Sequence, residues 1–350
     1  MIFETLRSLS YGELHFGFDV ATGMRAIIAL HSTKLGPAIG GLRVRRYESE
    51  ADAVDDVTRL AQGMTYKNAV AGLRHGGGKS VILAPEGLER YSAAERAAMF
   101  TAFAQHLAGL GGRYLTAEDS GTSAVDMDVI RQTTPHVLGA SKEAGGSGDP
   151  SPFTALGVFR GIEAVAHAHL GRTDLAGLHV AIQGVGHVGL YLARHLHKAG
   201  AKLTIADVDR GRLDQVVSET GAKVAPTEAI LETECDVLAP CAFGGAITEA
   251  LVPKLRCRAV AGAANNQLRT RAAGDLLVER GIFYAPDYVI NAGGVINVAQ
   301  EFAGYDESKS MPRVLAIYDT IKQIVTRSQQ EKRNPEQIAD QLAEEILARG

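Results

Sequence analysis

The stretch His179–Asp207, HVAIQGVGHVGLYLARHLHKAGAKLTIAD, decides the fold. An apolar run, HVAIQG, closes at Gly184, and the pattern Gly184-Val185-Gly186-His187-Val188-Gly189 then opens a helical segment. Glycines so spaced permit a tight turn and a close backbone approach, and the helix N-terminus behind them offers unpaired N–H groups to a pyrophosphate. A second strand, KLTIAD, ends at Asp207, eighteen residues after Gly189. A carboxylate there accepts hydrogen bonds from adenosine ribose hydroxyls and repels a 2′-phosphate, so the expected cofactor is NAD rather than NADP. Arg210 is the nearby cation that works against that preference. His187 reads as a helix-start residue beside the cofactor, not a catalytic one.

Outward from this stretch the alternation continues. Ser151 and Pro152 read as the N-cap and first turn of the helix FTALGVFRGIEAVAHAHL. A helix from Arg210, strands CDVLAP and AVAGAA, a helix from Thr270 and a strand IFYAP follow Asp207. Short strands separated by helices make an α/β domain with a Rossmann-type, doubly wound parallel sheet, expected over residues 148–329. The cluster EAGGSGDPSP at Glu143–Pro152 suits a linker, which leaves residues 1–147 as a second α/β domain. There, strands are expected at Met24–Leu30, at Lys79–Leu83 after the glycines and at Arg113–Thr116, with helices over Glu50–Met64 and Ser92–Leu110. From Ser308 on, two charged amphipathic helices are expected, the last (about 330–350) packing back on the first domain. The site is expected in a cleft between the domains, with hinge closure on substrate.

A chain of 350 residues with 46% hydrophobic and 22% charged residues suits two buried cores, and a net charge of -4 gives no reason to expect nucleic acid. A small molecule is the expected partner. Cys235, Cys241 and Cys257 are too few for a disulfide framework, no metal-ligand spacing occurs, and His31, His75, His195 and His197 read as structural. The start, MIFETLRSLSYGELHF, lacks the pattern of a signal peptide, and no apolar run is long enough to span a bilayer, so a cytoplasmic protein is expected.

Two lysines stand in unusual settings: Lys67 in GMTYKNAVAG and Lys79 directly after Gly76-Gly77-Gly78. A glycine run brings backbone close to a ligand, and two neighbouring ammonium groups, partly buried, lower one another's pKa toward acid/base use. Asp119, in YLTAEDSG, ends a short strand where a carboxylate can enter a cleft. Each alone is compatible with a solvated surface group; the case rests on the three together.

The segments TKLGPAIGGLRV, GMTYKNAVAGLRHGGGKSVI, GRYLTAEDSGT, GDPSPFTALGVFRG, AIQGVGHVG, CDVLAPCA, AGAANNQL and YAPDYVINAGGVINV resemble, in order and over nearly the whole chain, the Glu/Leu/Phe/Val dehydrogenase family, most of all its leucine-acting branch. The resemblance implies NAD-dependent oxidative deamination of a branched-chain L-amino acid (leucine, also valine and isoleucine) to its 2-oxo acid with release of ammonia, reversibly. It gives Lys67 the substrate carboxylate, Lys79 the activation of water, and Asp119 proton transfer with the substrate nitrogen. It places Thr154, Asn266 and Asn291 around the nicotinamide or the substrate, although both asparagines also suit turn caps. Its side-chain pocket falls on Ile39, Gly40, Ala117, Val295 and Val298, with Met64 close to Lys67 and Leu42 near enough to shift preference. No charge occurs among the pocket residues, which disfavours glutamate. A homo-oligomer, dimer or octamer, is also implied. The alternatives are a phenylalanine, tryptophan or valine dehydrogenase of the same family, a cyclic-imine reductase sharing only the nucleotide half, and a non-catalytic NAD-binding regulator, which would lack one of Lys67, Lys79 and Asp119.

Overall fold

The glycine run forms the first half of a strand instead of preceding one. The computed structural model describes residues 2–8, 12–141 and 146–350, and its strand Gly76–Leu83 is buried at every position. Glycine costs backbone entropy in a strand, and here close neighbours require it. A Cβ on Gly76 would lie 1.8 Å from the Ser32 carbonyl oxygen, and one on Gly77 2.0 Å from the Thr65 backbone nitrogen.

That strand is the fourth of five in the first part of the chain, which runs α1 (Ile2–Ser8), β1 (Glu13–Phe18), β2 (Arg25–Ser32), β3 (Ala38–Arg45), α2 (Glu50–Val70), β4 (Gly76–Leu83), α3 (Ala93–Ala108), β5 (Tyr114–Glu118) and α4 (Ala124–Arg131). The sheet order is β1-β2-β4-β3-β5, antiparallel at β1–β2 and β2–β4 and parallel at β4–β3 and β3–β5. β3 is absent from the sequence reading because Gly40-Gly41 blunts its apolar pattern, yet it is central. One sheet face carries the core of Met24, Leu42, Ile82, Met99, Phe100, Phe103, Tyr114 and Met127 beneath α3 and α4. The opposite face packs Ile27, Ala29 and Val81 on Ala53, Val54, Val57 and Ala61 of α2. Each large aliphatic or aromatic side chain so buried contributes about 1.5–3 kcal/mol. α2 continues past Met64 because Thr65, Asn68, Ala69 and Val70 are buried, and Asn68 Nδ2 donates to the Gly76 carbonyl at 2.6 Å.

The second part runs α5 (Ser151–Ala168), β6 (His179–Gln183), α6 (His187–Lys198), β7 (Lys202–Ala206), α7 (Arg210–Thr220), β8 (Lys223–Val224), β9 (Val237–Pro240), β10 (Ala259–Val260), α8 (Arg271–Glu279), β11 (Phe283–Tyr284), α9 (Asp287–Ile290), α10 (Gly293–Val298), α11 (Glu307–Leu315), α12 (Ile317–Glu331) and α13 (Pro335–Arg349). Its sheet, β11-β10-β9-β6-β7-β8, is parallel throughout. The strand order reverses beside β6, so the loop after β6 sits at the switch point where open α/β sheets take ligands.

The described chain divides into two compact units, Met1–Asp149 with Val298–Glu307 and Ala343–Gly350, and Pro150–Asn297 with Ser308–Leu342. Of the linker at Glu143–Pro152, residues 143–145 lie outside the described residues. Two details differ from expectation. Ser151 is the first helical residue of α5, Pro150 holds the cap position, and no side chain caps this end. After Glu307 three helices form instead of two: the expected break near 330 falls at Lys332, in the left-handed region, with Asn334 Oδ1 accepting from the Glu336 N–H to start α13, and a further break at Ala316 divides α11, which contains Pro312, from α12. Among the described residues no helix is long and apolar enough to cross a membrane.

Candidate active site

Side chains alternate between the faces of a strand, and register then decides which residues meet. Ile39 stands opposite Gly77 on β4 and Leu115 on β5, and Gly41 opposite Ala117. Ile39, Gly41 and Arg43 of β3, Gly77 and Lys79 of β4, and Ala117 with the following Asp119 therefore share the face that α2 covers. Lys79 Nζ lies 2.7 Å from Asp119 Oδ2. The Lys79 side chain is 7% exposed and that of Asp119 22%, so the pair is largely withdrawn from water. A Cβ on Gly41 would stand 2.7 Å from Asp119 Cβ and 3.1 Å from Lys79 Nζ; the missing side chain is what lets the two meet. Thr122 holds the turn, its Oγ1 accepting from the Asp119 N–H at 2.9 Å and donating to the Asp119 carbonyl at 2.8 Å.

Burial alone would raise the Asp119 carboxyl. The positive charges of Lys79 and Arg43, together with hydrogen bonds from Lys79 and the Ser120 N–H, outweigh it and hold the group down at about 2. Burial is also the largest influence on Lys79 and pulls its ammonium below the usual lysine range; Asp119 opposes this and Arg43 reinforces it. Arg43 is thus a like charge acting on Lys79 that was not expected from the sequence. Lys67 lies in the last turn of α2, half-buried. Two residues before it, Thr65 rests on Gly77, with Oγ1 3.4 Å from the Gly77 carbonyl oxygen. Met64, also half-buried, precedes Thr65 on the same helix.

The other face of β3 bears Gly40 and Leu42. The Gly40 carbonyl accepts from the Tyr114 hydroxyl at 2.7 Å, and Leu42 is wholly buried in the core with Met24 and Phe100. Leu42 therefore faces away from Lys79 and Asp119, a correction to its expected place beside the pocket that follows from strand alternation.

In the second unit Gly184 has φ +91°, a conformation favouring glycine, and a Cβ on Gly189 would lie 2.1 Å from the Gly184 carbonyl oxygen. Asp207 anchors this loop: Oδ2 accepts from the Val185 N–H at 2.7 Å and Oδ1 from the Asp209 N–H at 2.9 Å. Gly186 caps α6, whose first backbone bond runs from the Leu190 N–H to the Gly186 carbonyl. The N–H groups of His187, Val188 and Gly189 precede it in the first turn, where a helix offers no backbone acceptor. A Cβ on Gly186 would meet only Arg212 Nη1, at 3.5 Å. An open, donor-rich cradle with a carboxylate at the next strand end fits a dinucleotide. Arg212 thus stands beside Gly186 and pairs with Asp209 at 3.4 Å, while Arg210 pairs with Asp214 at 3.1 Å.

Thr154 Oγ1 donates to the Pro150 carbonyl at 3.1 Å and would lie 2.7 Å from a Cβ on Gly294. Asn291 is buried, its Nδ2 donating to the Ala263 carbonyl at 3.0 Å and to Asn265 Oδ1 at 2.7 Å. Asn266, exposed, has φ +51°, and its carbonyl accepts from the Gly245 N–H at 2.6 Å. Val295 is half-buried in the second unit, and Val298 is buried in the first.

A family model described as "Glu/Leu/Phe/Val dehydrogenase, dimerisation domain" matches residues 13–136, and one described as "Glutamate/Leucine/Phenylalanine/Valine dehydrogenase" matches residues 145–213 and 203–334. The chain belongs to the Glu/Leu/Phe/Val dehydrogenase family. It is 46% identical over 346 residues to the leucine dehydrogenase of Geobacillus stearothermophilus, covering 99% of this chain and 93% of that one. It is 44% identical to the valine dehydrogenase of Streptomyces virginiae, covering 94% of this chain and 92% of that one. The crystal structure of L-tryptophan dehydrogenase from Nostoc punctiforme superimposes with a TM-score of 0.88 at 37% identity, covering 99% of this chain and 98% of that one. As a Glu/Leu/Phe/Val dehydrogenase the chain is an amino-acid oxidoreductase of a pyridine-nucleotide-dependent family.

Sequence reasoning about this family member passed over Arg43, Asp56, Gly41 and Asn265. Arg43 stands in the quoted GGLRV, but only the register of β3 against β4 and β5 shows that it shares a face with Lys79 and Asp119.

Proposed function

We propose that this chain catalyses the reversible, NAD-dependent oxidative deamination of a branched-chain L-amino acid to its 2-oxo acid and ammonia. The observation that carries the reading is the 2.7 Å contact between the withdrawn Lys79 ammonium and the Asp119 carboxylate, in a chain 46% identical to a leucine dehydrogenase.

Lys67 takes the substrate carboxylate, a charge-assisted contact contributing roughly 1.5–3 kcal/mol. Asp119, held ionised, accepts a proton from the substrate ammonium and frees the nitrogen lone pair. NAD, when bound, supplies the acceptor for the hydride that leaves Cα. Lys79, whose pKa burial depresses, takes a proton from the water that adds to the resulting C=N carbon. Asp119 returns the proton it took to the departing nitrogen and accepts that of Lys79 through their contact; Lys79 then takes the carbinolamine hydroxyl proton as the C–N bond breaks, so ammonia and the 2-oxo acid leave and the two protons left on Lys79 and Asp119 pass to solvent. Acid/base groups in such roles contribute about 10²- to 10⁴-fold in rate.

The loop Gly184–Gly189, with Val185, His187 and Val188, would hold the pyrophosphate, Asp207 the ribose, and Thr154 and Asn266 the nicotinamide side, with Asn291 on the substrate side. Asp207 disfavours a 2′-phosphate, which makes NAD the cofactor of choice over NADP. Gly40, like Leu42, lies on the other face of β3, where its carbonyl meets Tyr114, which leaves Ile39, Met64, Ala117, Val295 and Val298 to receive the substrate side chain. They carry no charge for a second carboxylate, which favours an aliphatic substrate, and a methylene or two shifts preference by only ~1–3 kcal/mol, so leucine, isoleucine and valine are all accepted. The assembly that accompanies this reading is a cytoplasmic homo-oligomer, whose mass light scattering measures. The test of function is NADH formation at alkaline pH with leucine, valine, isoleucine, phenylalanine and glutamate, beside Lys79→Ala. Turnover of the branched-chain substrates that vanishes in the variant supports the reading; no turnover with any of them overturns it.

A further inference from the structure

The catalytic pair proposed above is held by a group with no part in that scheme. Arg43 lies on β3, on the α2-covered face, with its side chain 17% exposed. One edge of its guanidinium engages Asp119, Nε to Oδ2 at 3.1 Å, and Nη1 engages Asp56 Oδ2 on α2 at 3.2 Å. Asp56 is fixed in turn by the Tyr47 hydroxyl, which donates to the same oxygen at 2.7 Å. One oxygen of Asp119 thus sits between two cations, and the second cation is a planar fork clamped from its far side. Only arginine has donors spaced to hold both carboxylates at once; a lysine is a single point charge.

We propose that Arg43 is a positioning residue for the deamination: anchored by Asp56 and Tyr47, it fixes the Asp119 carboxylate against Lys79 and sets the electrostatic field in which the pair works. The inference rests on the function proposed above. Among the described residues, Arg43 and Tyr47 from β3 and its exit and Asp56 from α2 lie about the pair, Lys67 stands in the last turn of α2, and Tyr114 and Glu118 on the other face of β5 feel the charge of Asp119. Asp126 and Asp149 act on Glu118 from outside this set. Within it, Arg43 and Asp56 act on Lys79 with opposite sign, the guanidinium lowering its pKa and the carboxylate raising it. Arg43 also lowers that of Asp119.

Deamination needs Asp119 ionised and Lys79 neutral, so activity rises with pH through an ascending limb. Removing the charge at 43 raises both pKa values and moves that limb upward. Removing the charge at 56 lowers that of Lys79 and moves it downward. A scaffold role alone lowers amplitude in both variants and moves neither limb.

The experiment is kcat/KM for L-leucine against pH at saturating NAD for the wild type, Arg43→Gln, Arg43→Lys and Asp56→Asn. Arg43→Gln is expected to shift the ascending limb up by about one pH unit and to cut kcat about tenfold, and Asp56→Asn to shift it down. Arg43→Lys returns the limb but not kcat, since charge is restored without the fork. Should Arg43→Gln not fold, Asp56→Asn and Arg43→Lys decide: a downward limb in the first with a wild-type limb in the second supports the proposal, and any other pairing overturns it. Limbs coinciding with wild type in Arg43→Gln and Asp56→Asn overturn this inference alone, whereas an inactive wild type overturns the function on which it rests.

Discussion

Gly77→Ala tests the packing that brings α2 to the glycine strand. The added Cβ would lie 2.0 Å from the Thr65 backbone nitrogen and 2.3 Å from its Cα, against the 3.4 Å at which ordinary contact begins, so helix and strand must part by about 1.4 Å. The obstacle is backbone on both sides and no side-chain rotation relieves it. Forcing one methyl group into such a site costs about 1–3 kcal/mol. The displaced turn of α2 carries Met64 and Lys67 while the strand carries Lys79, and an ångström of misplacement in a catalytic constellation costs about 10²-fold. We therefore expect Gly77→Ala to melt several degrees lower and to lose about two orders of magnitude in kcat/KM for leucine, with NAD affinity unchanged because the dinucleotide loop belongs to the other unit. Differential scanning calorimetry, initial rates and NAD titration by fluorescence measure the three quantities. Gly63→Ala is the control: it lies on the same helix, nothing stands within 4 Å of its added Cβ, and alanine there gains roughly 0.5–1 kcal/mol of helix stability. A Gly77→Ala protein with wild-type melting temperature and kcat/KM within about threefold would refute the reasoning.

Further outcomes follow from individual contacts. Lys79→Ala removes the acid/base group and leaves Asp119 with Arg43 as its remaining close cation; NADH formation should fall by about 10²- to 10⁴-fold while NAD titration is unchanged, and a loss under tenfold would remove Lys79 from the mechanism. Asp207→Ala strips the acceptor from the Val185 N–H as well as the proposed ribose contact, so KM for NAD should rise at least about tenfold and discrimination against NADP should narrow, each contact being worth roughly 1.5–3 kcal/mol; an unchanged ratio of the two KM values counts against the assignment. Glu336 is pushed up to about 7, first by burial and then by Asp340 and Asp287. The folded state thus binds a proton there that the unfolded state gives up, and this stability is complete below the ordinary glutamate range and lost as pH rises through 7. Glu336→Gln should be the more stable protein at pH 8, by about 1–3 kcal/mol, with the gap closing at pH 5; thermal melts with a pH-independent difference would show that Glu336 does not titrate this way.

Much of this protein is legible from local pattern. The dinucleotide loop is a short-range device: Gly184, Gly186 and Gly189 act within one turn and one helix start, so their spacing carries their geometry. The strands β6, β7 and β9 announce themselves through apolar runs bounded by glycine or proline. The α2 helix is visible from Glu50, but its last turn is not, since Asn68 is kept helical by a bond to the Gly76 carbonyl, a contact between elements. The same limit explains the strand character of Gly76-Gly77-Gly78, whose conformation is imposed by Ser32 and Thr65.

The residue types at the site, a lysine behind three glycines and an aspartate at a strand end, were set in the chain before folding, and so were the dinucleotide loop and the α/β class, because each is encoded over a few neighbouring residues. Which groups meet was decided only by the sheet. Parallel pairing of β3 with β4 and β5 puts residues 43, 79 and 119 on one face, and alternation turns Leu42 to the other. No local pattern contains that register: it is a long-range choice, made by burying one face on α3 and α4 and the other on α2, and with it came the Arg43 contact that holds Asp119 to Lys79.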